Sequence, residues 1–165
     1  MSKTAVEIAI GLIGIMALWL GIMKIAEESG LIKIIAKIIK PITIRLFPDV
    51  PVDHPAMGSI VLNMAANMLG LGNAATPLGL KAMKELQELN DQKDTATDSM
   101  CTFLAINTSS VQIILPATVV GLMGASSSEI FITTIFATTM STIAAILSLK
   151  FLSKMNRFKM RQGGK

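Results

Sequence analysis

The chain reads as an all-α integral membrane protein, and three observations carry that expectation. Of its 165 residues, 52% are hydrophobic and only 16% are charged, too little charge to coat an ordinary soluble domain. Residues Ala5 to Met23 are apolar apart from Glu7, and about 19 residues at about 1.5 Å rise cover roughly the 30 Å of a hydrocarbon core. The string GLGNAATPLG, Gly70 to Gly79, then interrupts an apolar helical pattern with glycines, an amide and a proline. Inside a bilayer every backbone N–H and C=O needs a protein partner, so a broken helix survives there only where it is buried or lines a cavity. Such breaks mark candidate binding sites.

The first apolar run is a spanning candidate rather than a secretory signal, because Lys3 is the only basic residue before it and no small-residue cleavage site follows. From Leu31 to Phe47, Leu31, Ile34, Ile35, Ile38, Ile39, Ile42 and Leu46 recur at helical spacing, with Lys33, Lys37, Lys40 and Arg45 at other angles. This predicts a basic amphipathic helix in the membrane interface, with Pro41 as a point for a kink. The segment PDVPVDHP cannot sustain a helix, and Pro55 suits a first helical position, with His54 as cap or interface residue rather than metal ligand. The helix that follows places Ser59, Asn63, Asn67 and Gly70 on one face.

Beyond the break, Leu78 to Asn90 puts Leu78, Ala82, Leu86 and Leu89 on one side and Lys81, Lys84, Glu85 and Glu88 elsewhere, so it must reach water. Asp91 to Asp98 is a polar connection. A second interruption, Asn107 to Ser110, lies between MCTFLAI and VQIILPATVVGLMGA, and predicts either a discontinuous spanning helix or a re-entrant hairpin. The broken helices are thus expected over about 55–90 and 95–123. Ser126 to Ser128 are expected to cap a last span, Glu129 to Leu149, whose Thr134, Thr138, Ser141 and Ser148 offer close-packing or hydrogen-bonding positions.

Lys24 to Arg45 and Lys150 to Lys165 place both flanks on the cytoplasmic side, so the middle must cross once in net. Pro55 to Leu71 is the favoured crossing element, since a slightly acidic loop follows it. Residues 1–153 then form one membrane domain and 154–165 a basic tail that faces anionic lipid. Nucleic acid is a poor partner, since no aromatic platform accompanies these cations.

Among candidate site residues, Asn63 and Asn67 are the sharpest, because an amide at lipid depth is costly unless paired. Ligand contact and an inter-helix clamp both satisfy that need. Asn73 and Thr76, with free N–H groups at a helix starting after Pro77, would grip an anion, carbonyl or hydroxyl; the alternative is a plain turn, with Gly70 and Gly72 ending one helix and Thr76 capping the next. Asn107, Thr108, Ser109, Ser110 and Gln112 offer uncharged donors and acceptors, against which stand hydroxyls bonding back to helical carbonyls. One histidine and one cysteine support neither a catalytic triad nor a zinc site, so no enzyme, metal or cofactor is expected, and Cys101 reads as a buried small apolar residue.

The strings DHPAMGSIVLNMAANMLGLGNAATPLGLKAM and MCTFLAINTSS resemble the spore-maturation branch of the nucleoside-recognition, or Gate, domain family, over about Ile10 to Leu149. The resemblance implies a bacterial inner-membrane protein of several spans, similar to the gate regions of nucleoside and ferrous-iron transporters. It also implies a partner resembling spore maturation protein B, a role in spore-core dehydration, and a further hydrophobic helix upstream of the segment matching Ala5 to Met23. Carried onto this chain, the site comprises Asn63, Asn67, Asn73, Thr76, Pro77, Asn107, Thr108 and Ser109. The leading expectation is a transporter-like subunit forming part of a polar cavity for a small polar solute, completed by the B-like subunit or a second copy. The rival is a non-transporting assembly or sensory subunit whose polar faces clamp a partner.

Overall fold

The computed structural model describes residues 28–110 and 112–154, with scattered positions between Val6 and Ile25; for residues 73, 74, 117, 118, 125 and 154 only the backbone is described. The expected span Ala5–Met23 and most of the basic tail therefore lie outside the described residues. Those described form helices and connections, without strands: α1 (Leu31–Leu46), α2 (Pro55–Met68), α3 (Gly72–Glu88), α4 (Asp98–Ser109), α5 (Ala117–Met123), a 3₁₀ helix (Gly124–Ser128) and α6 (Phe131–Lys154).

Helix α2 sits at the centre, packed against α1, α3 and α4. His54 starts it: the ring Nδ1 accepts the Ala56 N–H at 3.2 Å, and Pro55 occupies the first turn, where its missing N–H costs nothing. Ala56, Met57, Ile60, Ala65 and Ala66 are buried around it, the alanines letting neighbouring backbones approach closely.

Helix α1 has three faces rather than two. Ile32, Ala36, Ile39 and Thr43 are buried, the Thr43 hydroxyl donating to the Ile39 carbonyl at 3.0 Å. Ile34, Ile38 and Ile42, expected on the apolar face of an interfacial helix, are exposed, as are Lys33, Lys37 and Lys40. The reason is the order of contacts: α1 meets the core through α2, and one neighbouring helix covers only part of an apolar surface this wide. The helix runs through Pro41 as one element.

The first interruption is narrower than the sequence predicts. Gly70, at φ +71°, ends α2 in a Schellman turn: its N–H donates to the Asn67 carbonyl at 3.0 Å and the Leu71 N–H to the Ala66 carbonyl at 2.9 Å. The next helix starts at once, at Gly72, not after Pro77. Thr76 is therefore no cap; its hydroxyl donates to the Gly72 carbonyl at 3.1 Å. Pro77 lies inside α3 and has no N–H to offer the carbonyl of Asn73.

The second interruption also differs in place. Asn107, Thr108 and Ser109 form the last turn of α4, and the chain departs from the helix at Ser110, φ +45°. The following segment crosses the end of α2, where the Ile113 and Ile114 N–H groups both donate to the Met68 carbonyl, at 2.9 and 3.1 Å. The two breaks thus satisfy one another. Ser126 to Ser128, expected to cap the last span, are wound into the 3₁₀ helix, and α6 begins beyond them at Phe131.

Helix α6 is the one described helix long and apolar enough to cross a membrane, over Phe131–Ser153. It packs on α4, burying Thr142 and leaving Ile132, Phe136, Leu147 and Phe151 exposed. At about 1.5 Å per residue α2 and α3 reach only about 21 and 26 Å, short of a 30 Å core, whereas α6 reaches about 36 Å.

Candidate functional site

Three asparagines converge where the interruptions meet. Asn63 and Asn67 lie one turn apart on α2, and Asn63 is only 1% exposed. The Schellman turn brings the first turn of α3 back beside them, so the Asn63 amide donates to the Ala75 carbonyl at 2.8 Å. The Asn67 amide donates both hydrogens, to Asn63 Oδ1 at 3.3 Å and to Asn107 Oδ1 on α4 at 2.8 Å. Asn107 in turn donates to the Phe103 carbonyl at 2.9 Å. Three helices are tied together through two amides, Asn63 to α3 and Asn67 to α4.

Beside this cluster lies a cavity of about 520 Å³, lined by Asn63, Asn67, Asn107, Gly72 and Thr76 and by the apolar Leu80, Met83 and Leu104. Gly79 matters through what it lacks, since a Cβ there would come within 3.0 Å of Asn63 Nδ2. The amide inventory sets the chemistry. A primary amide carries two N–H donors and an acceptor oxygen, so after the bonds above Asn63 and Asn107 each retain one hydrogen. Among the described residues the Asn67 side-chain Oδ1 accepts no hydrogen bond. The amino end of α3 adds partial positive charge at Gly72. Such a wall presents donors and an acceptor without net charge, suited to a neutral hydroxyl-bearing or amide-bearing solute and poor for a multivalent cation. No cluster of three or more acidic, histidine or cysteine side chains exists among the described residues.

The remaining predicted positions are distributed differently. Asn73 stands in the first turn of α3, its side chain outside what is described. Pro77 is exposed and does not line the cavity. Thr108 and Ser109 face a separate cavity of about 510 Å³ beside α6, bordered also by Cys101 and Ser141. Thr108 donates to the Leu104 carbonyl at 2.9 Å, and Ser109 donates to the Ala105 carbonyl at 2.8 Å while accepting the Thr142 hydroxyl at 3.0 Å. Sequence reasoning missed Thr142, although it stands four residues after Thr138 on the same helical stripe. It missed Gly79 and the apolar wall as well, which no local signal marks.

Comparison with known proteins decides the family. The family model described as nucleoside recognition, Gate, matches residues 9–153. The chain belongs to the Gate family. Spore maturation protein A of Bacillus subtilis (strain 168) is 49% identical over 150 residues, covering 88% of this chain and 76% of that protein. No solved structure matches. The Gate match spans α1 to α6, so the amide cluster and its cavity lie within the family's domain. Family and apolar α6 together make this a membrane protein.

Proposed function

We propose that this chain is a transporter-like subunit of the bacterial inner membrane, multi-pass, whose amide-lined cavity forms part of the route of a small, uncharged polar solute. The single observation that carries this reading is the Asn67–Asn107 hydrogen bond of 2.8 Å between two interrupted helices, flanked by a cavity about 520 Å³ in volume. Pockets of roughly 300–1,000 Å³ suit small ligands. By the family's description the solute is nucleoside-like, and by likeness to spore maturation protein A the process served is spore maturation and core dehydration. In this reading α2–α3 and α4–α5 are paired broken elements entering the bilayer, and a spore maturation protein B-like subunit or a second copy closes the open side. Asn73, in the first turn of α3, is proposed as a further solute contact, and Thr108 and Ser109 as contacts on the face toward α6.

Proteoliposomes holding the chain, with and without the B-like subunit, test the proposal. Flux of a nucleoside or another neutral polar solute is expected, and Asn67→Ala or Asn73→Ala should cut it more than tenfold while the protein still folds. Absence of flux or binding for every such solute sinks the idea.

A second reading, a non-transporting assembly subunit whose polar faces clamp a partner, is favoured by the hydrogen that Asn63 and Asn107 each retain and by the Asn67 Oδ1, groups that a partner helix would satisfy. It predicts that asparagine substitutions abolish co-purification with the partner while no solute raises the melting temperature. Solute-dependent stabilisation would oppose it.

A further inference from the structure

Asn67 also borders another cavity, about 400 Å³ and partly open, between α1, α2, α4 and α6. Its walls are mainly aliphatic, with Ile39, Leu46, Met64, Met68, Ile106 and Ile146 supplying most of them. Its polar groups are few: Asn67 has both amide hydrogens engaged and Thr142 donates its hydroxyl to Ser109, which leaves the Asn67 Oδ1 and the Ser110 and Thr139 hydroxyls within an otherwise aliphatic lining. An apolar void of this kind stays dry, and leaving it empty forfeits the dispersion contacts of its lining. Apolar matter is therefore its natural occupant.

Two rim residues show where that matter comes from. Ile42 of α1 is 58% exposed and Ile143 of α6 is 46% exposed, both on faces with no protein neighbour among the described residues. In a membrane protein such faces meet acyl chains. The charge beside the rim selects the lipid. Arg45, exposed in the last turn of α1, lies three residues after Ile42 and so on the same side of the helix, which puts a cation beside the rim. Lys33, Lys37 and Lys40 precede it, and among the described residues no carboxylate pairs with any of the four.

We infer that this cavity is a binding site for one acyl chain of an anionic phospholipid, whose phosphate is held by Arg45 at the end of α1. Asn67 lines both cavities, so the lipid site adjoins the amide cluster that borders the proposed solute site. The inference rests on the apolar lining and the cations, and stands whether or not a solute is carried.

The test is photolabelling of the full chain in phosphatidylglycerol/phosphatidylcholine vesicles, with trace phospholipid bearing a diazirine near the end of one acyl chain. Adducts are expected on Met64, Met68 and Ile106, inside the cavity, as well as on exposed Phe136 and Leu147. Thr139→Phe, which fills the cavity from half-buried α6, should reduce the internal adducts at least fivefold and leave the exposed ones unchanged; Ile42→Trp, closing the rim, should do the same. Arg45→Gln should lower the preference for the phosphatidylglycerol probe over its phosphatidylcholine counterpart by about fivefold, the value of roughly 1 kcal/mol per basic residue at a membrane surface. Adducts confined to exposed faces would overturn the assignment. Equal labelling by both headgroups, insensitive to Arg45→Gln, would overturn the anionic specificity.

Discussion

Glycine positions carry more of this structure than their size implies. Gly70 combines a φ of +71° with a backbone contact, for a Cβ there would lie 2.9 Å from the Ile114 carbonyl oxygen. Left-handed backbone costs a residue with a side chain roughly 1–2 kcal/mol before any clash. Gly70→Ala is therefore expected to lower the melting temperature of the purified protein sharply, and an unchanged melt would show that the two breaks do not touch. Gly79→Ala should act differently, displacing the Asn63 amide by a few tenths of an ångström, leaving folding nearly intact and weakening solute-dependent stabilisation. The polar face of Ser59, Asn63 and Asn67 was legible from spacing alone, because residues four apart share a helical face. Which amide meets Asn67 was not, since Asn107 is 40 positions away.

Helix ends show where local chemistry speaks clearly and where it misleads. His54 and Pro55 announce a helix start, and the structure has one there. Thr76 and Pro77 look like a cap and first-turn proline too, yet α3 begins at Gly72, because a Schellman turn needs only Gly70 and Leu71 to reverse the chain. Between helices, the Thr142–Ser109 bond is the specific link joining α6 to α4. Thr142→Val, alone and combined with Ser109→Ala in a double-mutant cycle, should reveal a coupling of about 0.6 kcal/mol, with 1.7 as a ceiling for such bonds in membranes. The connection after α3 is held by Asn90, whose amide donates to Gln87 Oε1 and the Thr95 carbonyl at 3.1 and 2.8 Å. Nothing in its immediate sequence singled it out from the neighbouring polar residues.

At the scale of the molecule, the polar cavity and the lipid-facing surface lie on different sides, and this is measurable. With Cys101 replaced by alanine, single cysteines at Thr76 and Phe136 report the two environments. A membrane-impermeant maleimide should label Thr76→Cys, which faces the cavity, and spare Phe136→Cys on exposed α6. Equal reaction at both positions would mean that α6 is not in lipid.

Composition and periodicity by themselves determined the helical class, the membrane setting, the basic amphipathic character of α1 and the amide face of α2, since each depends on residues within a few turns of one another. Only the tertiary structure decided that the two interruptions hydrogen-bond to each other, that Asn107 joins the cluster while Ser109 turns toward α6, and that Ile34, Ile38 and Ile42 face outward. Those outcomes depend on which surfaces meet after the chain has turned at Gly70 and Ser110, and no local spacing encodes the partner on the other side.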